Sequence, residues 1–161
     1  MKKVVVNNSY GPRGLSTQAV YLLSRMEFPL TATPIADSHL SENAFSQEAP
    51  DGFRSAPDFP GVLLKGGVIY WFGMNNRGAD VALRSHPALV KVVELLGNKA
   101  SCDGRLEIAE IPDDALYAIT DYDGAEGVKI FKPEDYTGGH AYVAMPDPVE
   151  AMRLWDGSSM S

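Results

Sequence analysis

Residues 61–72, GVLLKGGVIYWF, carry the clearest topological signal in the chain: two short apolar runs, Gly61–Lys65 and Val68–Phe72, flank Gly66-Gly67. Paired glycines supply the positive φ values of a two-residue hairpin turn, so the stretch predicts neighbouring antiparallel strands. Downstream, Leu89, Val92, Val93 and Leu96 recur at helical spacing. Pro87 suits the first helical position, His86 the N-cap and Gly97 the stop, which predicts a helix over 87–96.

Upstream, Lys2–Asn7 (KKVVVN) has the β-branched run of a strand buried on both faces, ending in the turn-prone stretch Asn7-Asn8-Ser9-Tyr10-Gly11-Pro12. Ser16 is a good N-cap, Leu15 is placed to staple onto Val20, and Ala19, Leu22, Leu23 and Met26 form one stripe, predicting a helix over about 16–26. From Glu27 to Gly61 the periodicity disappears among Pro29, Pro34, Pro50, Pro57 and Pro60, so residues 27–60 are expected to form a long irregular loop or insertion. Beyond the 87–96 helix, Arg105–Ile111 alternates as a strand, with Leu106, Ile108 and Ile111 facing inward. Tyr117–Tyr122 and Val128–Phe131 are further strands around an Asp123-Gly124 turn, Ala141–Met145 is a last strand, and Pro146–Trp155 is a weaker helical stretch before a polar, flexible tail at 157–161. Strands and helices interleave without a regular βαβ repeat. The expectation is α+β: a compact single domain over 1–161 with a mainly antiparallel sheet and two to three helices.

The 161 residues are about one domain's worth, and 45% apolar residues suffice for a buried core. A net charge of -7 argues against binding duplex nucleic acid. The charge is uneven, however: residues 1–30 and 61–100 each sum to +3, 31–60 to -4 and 101–161 to -9. Because screening limits the reach of charge to about 8–10 Å, the two basic blocks can build a positive pocket for a small anion on an acidic protein. No apolar run approaches the roughly 20 residues of a membrane span, and Met1–Lys3 does not open a signal peptide, so a cytoplasmic location is expected. A single cysteine, Cys102, excludes an internal disulfide framework and any multi-cysteine zinc site.

Tyr10-Gly11-Pro12-Arg13-Gly14 joins a strand to a helix, a place that favours an anion, and Arg13 adds a charge-assisted contact. The same turn is also routine without any ligand. Tyr70, Trp71 and Phe72, followed by Asn75, Asn76 and Arg77, combine the stacking and donor groups that a purine nucleotide needs, although alternation must send at least one ring into the core. Asp121 and Asp123 are an acidic pair at a strand end that suits a metal or acid/base chemistry, and equally an ordinary turn. His39, His86 and His140 show no metal-ligand spacing, Cys102 stands beside Asp103, which disfavours its thiolate, and Ser16 lacks a Gly-x-Ser-x-Gly elbow. These residues assemble no catalytic constellation, and no cofactor is expected.

VVVNNSYGPRGLS, then RSHPALVKVVELLGNKAS and LEIAEIPDDALYAITDYDGAEGV, resemble in order the words of a widespread family of small phage and prophage proteins. The resemblance covers about residues 2–26 and 84–128. Pro12 and Arg13 replace the family's Gly-Phe, His86 replaces the Asp before Pro87, and the 27–60 segment and the continuation from Val128 depart from it. That family is similar to the phage Thoeris anti-defence sponges, which bind cyclic ADP-ribose-type signals without cleaving them. The resemblance implies a homo-oligomeric binding protein, not an enzyme, for a small anionic nucleotide-like ligand, with Asn7, Tyr10, Arg13, Arg84 and Asn98 at the site. Asn76 and Arg77 join them from the reading of the hairpin. The alternatives are a metal-dependent hydrolase using Asp121, Asp123 and His140, or a non-catalytic phage accessory protein.

Overall fold

A buried strand, β1 (Lys2–Asn7), separates two hydrophobic clusters in the computed structural model, which describes residues 1–8, 14–75, 79–102, 105–122, 125–131 and 143–144. Val5 points into a cluster built with Leu15, Leu23, Leu63, Phe72, Leu89 and Val93, while Val4 and Val6 point oppositely, into one with Val81, Ile111, Tyr117 and Ile119. The alternation of a strand thus turns one apolar run into two interfaces, as Lys2–Asn7 led us to expect. Each valine so enclosed contributes about 1.5–3 kcal/mol of burial.

The chain continues through α1 (Thr17–Ser24), β2 (Thr31–Pro34), β3 (Gln47–Glu48), β4 (Arg54–Ser55), β5 (Leu63–Lys65), β6 (Val68–Trp71), α2 (Ala79–Leu83) and α3 (Pro87–Leu96). It ends, among the described residues, with β7 (Leu106–Ile111), β8 (Leu116–Tyr122), β9 (Ala125–Phe131) and β10 (Val143–Ala144). Every pairing of these strands is antiparallel, in three sheets ordered β1-β7, β10-β8-β9 and β2-β6-β5-β4-β3. The architecture is α+β. No described helix is long and apolar enough to cross a membrane.

Both helix signals correspond to real caps. The Ser16 side chain accepts from the Ala19 N–H at the start of α1, and His86 Nδ1 accepts from the Ala88 N–H at the start of α3. Gly66 and Gly67 have φ of 60° and 77°, the left-handed pair that matches the twist of the β5–β6 hairpin. At Gly61, with φ of 87°, an added Cβ would lie 2.6 Å from the Leu15 carbonyl oxygen, so only glycine lets this segment dock at the start of α1. Its N–H donates to Thr17 Oγ1.

Residues 27–60 require a correction. They supply β2, β3 and β4, three strands of the five-stranded sheet, with 3-10 turns between them. Strands of two to four residues are too short to leave a periodic signature, and Pro34 is tolerated because β2 is an edge strand. The five-residue α2 was hidden for the same reason. Within the 16–26 prediction the helix stops at Ser24, and β9 begins at Ala125, ahead of the expected Val128. The proposed helix at 146–155 and tail at 157–161 lie outside the described residues.

Candidate functional site

β1 pairs with β7 along one edge only, so the outward N–H and C=O groups of Val5 and Asn7 need partners on the other. Arg84, which follows α2, and Glu126 on β9 provide them. The Val5 N–H donates to the Arg84 carbonyl at 2.8 Å, and the Val5 carbonyl accepts from Arg84 Nη1 at 3.0 Å. The Asn7 N–H donates to Glu126 Oε1 at 2.8 Å. Two side chains and one carbonyl thereby stand in for a missing neighbouring strand.

The two charges meet as a bidentate pair, Arg84 Nη1 to Glu126 Oε1 at 2.7 Å and Nη2 to Oε2 at 2.9 Å, with both side chains wholly removed from solvent. Nη2 also donates to the carbonyls of Met74 at 2.6 Å and Asn75 at 3.2 Å. Arg84 Nε is buried without a hydrogen-bond partner among the described residues. Met74 is fully buried and held at a φ of 49°, a left-handed conformation that costs a non-glycine residue roughly 1–3 kcal/mol. On its far side, the Asn75 N–H and Nδ2 donate to Asp80 Oδ2 at 3.1 and 3.0 Å.

This pair therefore ties together the ends of two stretches singled out from the sequence. Asn7 and Asn8 precede residues 9–13, and Asn75 precedes residues 76–78. Asn8 also bridges Ala125, next to Glu126, and its Nδ2 donates to Glu107 Oε1 at 2.8 Å. Below the pair, the buried Tyr117 hydroxyl donates to the Val81 carbonyl and lies 3.1 Å from Ser85 Oγ; burial pushes its pKa up to about 12. Burial also lowers the pKa of His86, whose ring packs edge-on against Phe28.

Of the residues expected at a ligand site, Asn7 and Arg84 are brought together, but in the interior. Arg84, a ligand contact by the resemblance, is enclosed here: its charge is paired with Glu126, its two Nη groups donate to carboxylate and carbonyl oxygens, and it positions backbone. Asn98 is exposed in the 3-10 turn after α3, a turn that packs on α1 and β7. Tyr10, Arg13, Asn76 and Arg77 lie outside the described residues, as do Asp123 and His140. Asp121 is exposed at the end of β8, opposite Glu126 in register. Among the described residues, no group of three or more His, Cys, Asp or Glu side chains is arranged to hold a metal ion.

The aromatic run of the hairpin divides as alternation requires. Phe72 enters the larger core cluster, Tyr70 meets Phe53 edge-on with centroids 6.0 Å apart, and Trp71 turns to the opposite face, where its Nε1 donates to Thr33 Oγ1 at 3.2 Å. Glu126 is not among the candidates that the sequence offers. Its signal is an acid in phase with Val128 and Ile130, matched by an arginine ending the apolar Val81–Leu83 run. No protein-family model matches the chain, and no curated protein or solved structure is significantly similar to it.

Proposed function

We infer that this protein binds a small nucleotide-derived anion without transforming it, using residues that follow Asn7 and Asn75 in the sequence. One observation carries the reading: a single buried ion pair holds the backbone of both Asn7 and Asn75, which stand far apart in sequence. The residues that follow them include Tyr10, Arg13, Asn76 and Arg77. These are a stacking ring, two guanidinium groups suited to phosphate oxygens, and an amide suited to a base edge or a ribose hydroxyl. Arg84 and Glu126 belong to this proposal as positioning residues.

In its biological form the reading is sequestration of a cyclic ADP-ribose-type immune signal by a phage-encoded, homo-oligomeric protein in the host cytoplasm, as the sequence resemblance implies. The test incubates purified protein with cyclic ADP-ribose isomers and cyclic oligonucleotides, measures binding, then heat-denatures the protein and recovers the ligand. Tight binding and recovery of intact ligand are expected, with Arg13→Ala and Arg77→Ala each weakening binding about tenfold or more at unchanged Tm. Absence of tight binding overturns the reading. Recovery of a cleaved product would point instead to an enzyme.

A further inference from the structure

We propose a second, independent binding site for a planar aromatic ring that bears one anionic group, in the cleft between the end of α1 and the β5–β6 hairpin. The cleft, of about 430 Å³, is lined by Ser24, Phe28, Leu30, Phe53, Lys65 and Tyr70, together with Pro29. That volume lies within the roughly 300–1,000 Å³ of small-molecule pockets. Phe53 forms the buried floor, edge-on to Tyr70 at 90°, and the half-buried Tyr70 is the ring within reach of a ligand. An aromatic ligand can stack on Tyr70 or meet it edge-on.

Charge selects the ligand further. Lys65 Nζ sits 4.9 Å from the Phe53 ring centroid, and Lys65 forms no ion pair with a described residue. Arg25, which follows Ser24 in the chain, is by contrast spent on Asp51 at 3.1 Å and on the Tyr21 hydroxyl at 3.0 Å. The cleft thus has apolar walls and, among the described residues, a lysine with no carboxylate partner. A neutral ring would leave that cation unused, and a simple anion would leave the walls unused. A ring with a carboxylate or a phosphate satisfies both.

Amide-resolved NMR titration of the full chain with indole-3-acetate, indole and acetate separates these contributions. Indole-3-acetate is expected to shift the Phe53, Lys65 and Tyr70 amides saturably, indole to bind about tenfold or more weakly, and acetate not to saturate. Lys65→Met should weaken indole-3-acetate about tenfold, Lys65→Arg should retain it, and Tyr70→Ala should weaken indole and indole-3-acetate alike. The Lys65 side chain is exposed, so its variants keep the fold, and the Tm of Tyr70→Ala, whose ring packs on Phe53, is measured alongside. The proposal is overturned if no saturable shift reaches those amides up to the solubility limit, if indole binds as well as indole-3-acetate, or if Lys65→Met leaves the affinity unchanged.

Discussion

Replacing Glu126 with glutamine keeps the shape of the side chain and removes one of two buried charges. The amide oxygen of the Glu126→Gln variant can still accept from Arg84 Nη1 and from the Asn7 N–H, but its amide nitrogen then faces Arg84 Nη2, donor against donor, where a carboxylate oxygen stood at 2.9 Å. Leaving one buried charge without its partner costs about 3–5 kcal/mol, a large part of the roughly 5–15 kcal/mol that stabilises a domain. With a urea m-value of about 2 kcal/mol/M, the unfolding midpoint should fall by about 2 M. The double variant Arg84→Met/Glu126→Leu removes both charges, which for an isolated buried pair would be nearly neutral or stabilising. Here it also strips partners from the Val5 and Met74 carbonyls and from the Asn7 N–H, at about 1–3 kcal/mol for each buried group. It should therefore remain clearly less stable than the wild type. Urea denaturation followed by far-UV circular dichroism reads both variants. A loss below about 1 kcal/mol for Glu126→Gln would refute the buried pair, and a double variant as stable as the wild type would refute its role as a substitute strand edge.

Three further perturbations address other parts of the fold. Because the Tyr117 pKa is raised from 10 to about 12, stability is fully present below pH 10 and is lost between pH 10 and 12, by about 3 kcal/mol; Tyr117→Phe should flatten that alkaline loss in pH-dependent denaturation while costing about 1 kcal/mol at neutral pH. The His86 pKa is lowered from 6.5, so its neutral form is favoured on folding, and stability should decline as pH falls from 6.5 through the lowered value as protonation of Nδ1 breaks the α3 cap; His86→Ala, followed by thermal denaturation, should lose about 1 kcal/mol at pH 7 and much of that acid dependence. Gly61→Ala meets both a left-handed φ and the Leu15 carbonyl at 2.6 Å, so it should cost more than about 1 kcal/mol and loosen the docking of residues 27–60, read as faster exchange of the Ser16 amide and of the amide at position 61.

How much of this was readable in advance depended on whether a residue's partner was local. Ser16, His86, Gly66, Gly67 and the stripe of α3 act on backbone or side chains a few positions away, so their spacing predicted the caps, the turn and the helix, and the α+β class with them. β2, β3 and β4 are stabilised by neighbours across the sheet instead of by a repeating pattern along their own few residues, and that information is absent from residues 27–60 read alone. The site divides on the same principle. Asn7 and Arg84 are ligand contacts only by the family resemblance, and nothing in the residues around them along the chain tells a ligand contact from an internal one. What distinguishes them is Glu126, some forty residues from Arg84 along the chain and aligned with it by the β8–β9 register and the Asn8–Ala125 bridge. Once that carboxylate is in place, Arg84 has no net charge to offer a ligand, and any affinity for an anion has to come from cations elsewhere. Among the basic residues closest in sequence to the backbone held by this pair are Arg13 and Arg77, so the binding proposal stands or falls on those two arginines.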